Sequence, residues 1–376
     1  MVIVCFSIGI MKFNIKKKYK KARLGLLTLD HGEVNTPAFM TVGTYGSVRG
    51  LSENDLENCN AEIMLCNAYH LMSKISEICS IKSITLHDYI AWNRPILTDS
   101  GGYQVFSLSE HTEVSRKGVT FKSPLNGDTL FLSPEKSIKI QEMLGSDIMM
   151  IFDECPKYPL SKEAIEKSME LSLYWAELSK GAHSSNQSLF GIVQGGMYED
   201  LRETSLSELI KLDFDGYALG GLSVGEPKMI RERIVSNISS KLPDDKPRYL
   251  MGVGKPTDII YAVNEGIDMF DCVIPTRNGR NGQLFTNHGT MNIRNSKYEN
   301  DLKPIDEACA CYTCKNYSRS FLKHLDKCND SLAGRLMSIH NVYFYQDFMK
   351  KIRTAIYDGT LEQMMEKVNL IYSNSQ

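Results

Sequence analysis

The chain has 376 residues, 42% of them hydrophobic, with 43 Lys and Arg against 45 Asp and Glu. That is enough apolar material for one large barrel or two ordinary domains and argues against disorder, while the balanced charge leaves any nucleic-acid partner to local basic patches. No window reaches the roughly 18 apolar residues of a membrane span, and MVIVCFSIGIMK lacks a basic n-region before its short apolar run, so the chain reads as cytoplasmic.

Residues 1–11 read as an N-terminal extension, either disordered or extra to a start at Met11. Beyond them, short β-branched or aromatic runs ending in small or polar residues recur at 37–42, 63–67, 96–99, 148–153, 189–194, 217–221, 249–252 and 269–271. Helical signals lie between several of them. Ser52 with Asp55 forms a capping-box pattern, Ser133-Pro134-Glu135 places an N-cap before a first-turn proline, and Ser161 precedes Ile165, Met169 and Leu173 on one face. Eight strand–helix alternations favour a closed β/α barrel over an open doubly wound sheet. The stretch 101–132 interrupts the rhythm with β character around 112–121, an expected inserted hairpin. After about Pro275 the rhythm stops. Residues 279–298 alternate like short antiparallel strands, and the region 279–345 reads as a subdomain appended to one barrel domain spanning 12–376.

In such a barrel the reactive groups sit at the C-terminal ends of strands. The last residues of the runs include Asn67, Asp99, Asp153, Gln194, Gly221, Gly252 and Asp271. Singly, each has a plain reading: Asp99 caps a helix or closes a turn, Asp153 pairs with a lysine, and Gln194 and Gly221 mark tight turns. Jointly they are harder to explain, because independent caps have no reason to fall at equivalent strand ends. Several carboxylates around one pocket suit displacement at an acetal-like carbon through an oxocarbenium-like transition state, with a second carboxylate moving the proton. The amides and glycine backbone suit the edge of a planar heterocycle.

Of ten cysteines, most stand singly in apolar stretches, as do Cys59, Cys66 and Cys79, and read as reduced core thiols. Cys309, Cys311 and Cys314, followed after twenty-five residues by His340, are different. Three thiolates and an imidazole make a closed tetrahedral zinc set with no open position, the alternatives being buried thiols or an iron–sulfur site. His31, His87 and His183 have no clustered partners in the sequence and read as surface or core residues. Residues 277–297 carry four basic and no acidic side chains, and 310–353 carry eight basic against three acidic. This suits a phosphate-binding face, or else a solvated basic helix.

The ordered runs TDSGGYQVFSL, FDECPKYP, FGIVQGG, GYALGGLSVGE, YLMGVGKP and FDCVIPTRNGR, followed by the Cys3His set, resemble bacterial tRNA-guanine transglycosylase from about Ala22 to the C-terminal helices. The resemblance implies an irregular (β/α)8 TIM barrel with a structural zinc per subunit, and a homodimer. It implies that Asp271 is the nucleophile at C1′ of the wobble guanosine and Asp99 the general acid/base. Asp153 and Gln194 would hold the base edge, and Gly221 with Leu222 would supply backbone donors. Tyr103, Met251 and Gly252 would form pocket walls with Cys155 nearby, and Arg277 and Arg280 would grip the anticodon loop of a tRNA with a GUN anticodon. Val224 and Glu226 match the pocket that takes preQ1, 7-aminomethyl-7-deazaguanine. Enzymes that take the bulkier queuine have glycine where Val224 stands, and queuine is the alternative incoming base.

Two departures from the pattern are MSKISEI after NAYHL, where an arginine-proline-glycine turn is usual, and Pro124 in FKSPLNG, where histidine is common. A non-catalytic partner subunit would have lost carboxylates that this chain keeps. A glycoside hydrolase needs no closed zinc set, and a barrel deaminase needs histidines at strand ends.

Overall fold

The computed structural model describes residues 11–72, 75–104, 112–122 and 127–373. The first ten residues of the expected extension, Ser73 and Lys74 of the altered loop, and Pro124 lie outside them. Three antiparallel strands open the chain, β1 (Lys12–Tyr19), β2 (Ala22–Leu29) and β3 (Gly32–Thr36). They were not foreseen. β1 is lysine-rich and mostly exposed, whereas β2 buries Ala22, Leu27 and Leu29, so only the second strand has a strong apolar signal.

Eight parallel strands close a barrel: β4 (Ala38–Gly43), β5 (Met64–Asn67), β6 (Ile96–Asp99), β10 (Ile148–Met150), β11 (Ser188–Val193), β12 (Gly216–Leu219), β13 (Arg248–Leu250) and β14 (Met269–Asp271). Each overlaps one of the eight expected runs. β14 pairs with β4 and β6 with β10, which closes the ring. All residues of β5, β6 and β10 to β13 are buried, as expected where a strand has side chains inside the barrel on one face and helices on the other.

Three of the helices begin where the sequence marks them. Ser52 and Asp55 form a complete capping box before Glu53–Asn58, and the Ser133 hydroxyl accepts from Lys136 N before Pro134–Leu144. Ser161 caps Lys162–Ala182 through Ala164 N, and Ile165 and Met169 are buried on that helix. Each such cap satisfies an otherwise orphaned helix N–H, worth about 1 kcal/mol.

The insertion between β6 and β10 is a three-stranded antiparallel sheet rather than the expected hairpin: β7 (Thr112–Ser115), β8 (Gly118–Lys122) and β9 (Thr129–Leu132). The third strand escaped notice because it is short and largely exposed, with only Leu132 buried. After β14 come the helix Ile274–Arg280 and the antiparallel hairpin β15 (Gln283–Thr286) and β16 (Gly289–Asn292). The helix Ser331–Asp358 then returns to the barrel, where Gln346 Nε2 donates to Phe39 O at 3.0 Å and Arg353 Nη1 to Pro37 O at 2.8 Å.

Candidate active site and metal centre

Asn67, Asp99 and Asp271 are the last residues of β5, β6 and β14. Asp153, Gln194, Gly221 and Gly252 were expected to end their strands but lie one to three residues beyond them, on the loops. There the backbone is released from the ladder and can turn its side chains and amides over the mouth.

Asn67 Nδ2 donates to Asp99 Oδ2 at 3.3 Å, and Ser100 N to Asp99 Oδ1 at 2.9 Å. Asp99 is only 8% exposed. Burial, reinforced by the nearby charges of Asp153 and Asp271, pushes its carboxyl up to about 7. Both other carboxylates therefore lie close enough to act on it. Asp153 accepts from Gln194 Nε2 at 2.7 Å, and burial raises it to about 6 against that hydrogen bond. Gly102 links the two loops, since a Cβ there would sit 2.6 Å from Asp153 O. Asp271 Oδ1 accepts from both Tyr249 Oη and Gly252 N, each at 2.7 Å. Burial raises Asp271 as well, and these two donors pull it back down.

Gly221 follows β12 at φ +62°, where a Cβ would be strained and would lie 2.5 Å from Gln194 Oε1. Leu222 is buried. Glu226 accepts from Ser223 N at 2.7 Å and Val224 N at 2.9 Å, which fixes the turn carrying Val224. A cavity of about 230 Å³ opens here, lined by Gln194, Gly221, Val224, Tyr158 and Tyr198 among others; it does not reach Asp99 or Asp271. Cys155 is buried beside Asp153, Met251 is half-buried and Gly252 exposed, while Tyr103 is 49% exposed just past Asp99. The sequence reading missed Tyr249 as a partner of Asp271. Its strand register, Tyr249 opposite Met269, puts it diagonal to Asp271, a relation visible only once the strands are paired.

Arg277 is exposed and Arg280 half-buried on the helix after β14, and neither makes an ion pair among the described residues. The charge of Arg49 bears on Arg280, whose Nη1 donates to Arg49 O at 3.5 Å. Two guanidinium groups held together without a carboxylate suit an anionic ligand.

Cys309, Cys311, Cys314 and His340 converge as expected. Their sulfurs lie 3.7, 3.6 and 3.3 Å from His340 Nδ1. Zn–S near 2.3 Å and Zn–N near 2.0–2.1 Å in a tetrahedron give an S···N edge of about 3.6 Å, so the donor set fits a zinc-sized ion. His340 Nε2 donates to Phe285 O at 2.8 Å, which fixes the tautomer and frees Nδ1 as a ligand.

His31 and His87, expected to be isolated, are not. Asp147 Oδ1 meets His31 Nδ1 at 2.9 Å and its Oδ2 meets His87 Nε2 at 3.1 Å, with the two rings stacked at 3.5 Å. Residues 116 and 60 positions away from Asp147 come together only in the folded chain. Asp147 also accepts from Ile96 N, the start of β6, so this cluster sits at the end of the barrel opposite the carboxylates.

The fold and this mouth define a β/α-barrel enzyme with buried carboxylates and amides at the strand ends and a Cys3His centre. A sequence model of the family described as queuine tRNA-ribosyltransferase matches residues 18–374. Proteins called queuine tRNA-ribosyltransferase from Shewanella halifaxensis (strain HAW-EB4) and Francisella tularensis subsp. novicida (strain U112) are 52% identical to this chain over 355 and 359 residues. The first alignment covers 94% of both chains; the second covers 95% of this chain and 98% of the relative. The chain belongs to the queuine tRNA-ribosyltransferase family, an enzyme family of tRNA-guanine transglycosylases.

Proposed function

We propose that this chain exchanges the guanine at the wobble position of tRNAs with a GUN anticodon for preQ1, a step of queuosine biosynthesis. The observation that carries the reading is the contrast between two neighbouring carboxylates. Asp271 is anchored by two donors, while Asp99 is buried among negative charges and poised near neutrality.

With both donors on Oδ1, Asp271 Oδ2 attacks C1′ of the nucleoside. The C1′–N9 bond breaks, its electron pair leaves on guanine, and protonated Asp99 supplies the proton that neutralises the departing base. The resulting ribosyl ester is then attacked by N9 of the incoming base. Asp99 removes the N9 proton as the ester bond to Asp271 breaks. Two displacements at one carbon retain its configuration. A carboxyl near 7 is present in both forms at neutral pH, which suits a group that must give and then take a proton.

Asp153 and Gln194 accept from and donate to the base edge, and Gly221 and Leu222 add backbone contacts. Tyr103, Met251 and Gly252 wall the ring, Asn67 orients Asp99, and Arg277 and Arg280 bind anticodon-loop phosphates. Val224 supports the small base preQ1 over queuine, because its branched side chain takes up room beside Gly221. Cys309, Cys311, Cys314 and His340 hold one zinc per chain, which cross-links the region after the barrel and takes no part in exchange. The active form is a cytoplasmic homodimer.

Incubation with tRNA and labelled guanine tests the reading. The native chain is expected to label the anticodon and to form a denaturant-stable protein–tRNA adduct, whereas Asp271→Ala binds tRNA and does neither. Label entering tRNA with Asp271→Ala would contradict the nucleophile assignment. Offering preQ1 and queuine to the same tRNA tests the base, and equal use of both would remove the role given to Val224.

A further inference from the structure

The fully buried Arg202 forms no ion pair with a carboxylate among the described residues. It lies on the helix Glu199–Lys211 behind the loops that follow β11 and β12. Its guanidinium is satisfied by main-chain carbonyls: Nε donates to Gly196 O at 2.7 Å, Nη1 to Val193 O at 3.1 Å and Nη2 to Gly220 O at 2.8 Å. The charge of Glu226 reaches it without forming an ion pair; a buried cation so weakly compensated is costly, and a neutral side chain could fill the same space. Burial lowers its pKa only to about 10, so it stays charged at neutral pH.

Those three carbonyls belong to the two loops that carry Gln194 and Gly221. In a trans peptide the C=O and the next N–H point in opposite directions. Drawing Val193 O toward Arg202 therefore turns Gln194 N–H away from it, and that N–H indeed donates to Ser205 Oγ at 3.2 Å. By the same geometry, holding Gly220 O sends Gly221 N–H away from the guanidinium. Gly221 N–H has no acceptor among the described residues, although the glycine is half-buried and its Cα lies against the Gln194 amide. The helix approaches so closely that a Cβ at Gly195 would lie 2.8 Å from Arg202 N.

We infer that Arg202 is a positioning residue for the base: by fixing the Gly220–Gly221 peptide and the Gln194 loop as one unit, it presents the unpaired Gly221 N–H beside Gln194 to an acceptor on the heterocycle. It touches neither substrate. Its loss is felt in recognition of the free base, not in recognition of tRNA at Arg277 and Arg280.

This rests on the exchange reaction proposed above. The test uses the full-length, zinc-loaded protein, with guanine and tRNA varied separately for the native chain, Arg202→Lys and Arg202→Met. Lysine keeps the cation and its stem but cannot reach three carbonyls in one plane. Arg202→Lys is expected to raise KM for guanine about tenfold or more while KM for tRNA stays within about threefold. Arg202→Met is expected to be worse, with Arg202→Lys as its partial rescue. An unchanged guanine KM in Arg202→Lys overturns the inference, and so does a joint rise of both KM values with a fall in kcat. Loss of a cooperative melt in Arg202→Lys also overturns it, because the role would then be that of a fold element. A native chain that incorporates no guanine overturns the exchange reading instead, which separates the two failures.

Discussion

Tyr249 donates its hydroxyl to Asp271 across the β13–β14 pair, onto the same Oδ1 that receives the Gly252 N–H. Two donors on one oxygen oppose the burial that raises this carboxyl and so favour its ionised form.

Tyr249→Phe removes one donor and keeps the ring. A hydrogen bond to a charged group is worth about 1.5–3 kcal/mol, equivalent to about one to two pH units. In the proposed exchange Asp271 must be ionised to attack, so the acidic limb of the rate profile is expected to move up by that amount, with slower turnover at neutral pH. A profile superimposable on the native one would show that the Tyr249 hydroxyl does not tune the nucleophile.

The contact of His31 with Asp147 gives a pH-dependent contribution to stability. The Asp147 hydrogen bond raises His31 against partial burial. A histidine raised on folding stabilises fully below its unfolded value of about 6.5 and loses that contribution as pH rises through the folded value. His31→Ala is therefore expected to cost about 1 kcal/mol near pH 6 and less near pH 9, the partly exposed site screening the interaction. Denaturant titrations at the two pH values measure this, and an equal cost at both argues against a charged pair.

How much of this was legible follows from the range of each interaction. The barrel strands announced themselves because burial on both faces demands continuous apolar runs, as in LFGIV of β11. Caps such as Ser52 with Asp55 were equally local. β1 and β9 were missed because they carry few buried side chains, none on β1 and only Leu132 on β9, so neither shows a full apolar face. The Cys3His set was readable from spacing, but His31, His87 and Asp147 had no spacing to read, since their meeting depends on how the N-terminal strands pack beside β6 and β10. Nothing in the sequence marks Arg202, because the carbonyls it holds come from two loops that only the fold brings to it.

For the metal centre, about one equivalent of zinc per chain is expected by elemental analysis, and Cys311→Ser is expected to lose it. His340 lies on the same long helix that bonds to β4 through Gln346, so metal loss should lower the melting temperature of the whole chain. Iron in place of zinc, or a Cys311→Ser protein that still holds a full equivalent, contradicts the assignment.

Asp99 makes the sharpest link between chemistry and stability. Its carboxyl is raised from about 3.8 to about 7 on folding, so the folded state holds the proton more tightly than the unfolded one. The contribution is complete below the unfolded pKa and is lost as pH rises toward 7, after which the native protein carries a buried charge at a cost of up to about 4 kcal/mol. Asp99→Asn removes that charge while keeping shape and the contact to Asn67. It should melt several degrees above the native chain at pH 8, with the gap closing toward pH 4, and exchange should fall about 10²–10⁴-fold because the proton has no carrier. A variant no more stable than the native chain at pH 8 would mean that Asp99 is not held against its charge, and its assignment as the proton carrier would lose its physical basis.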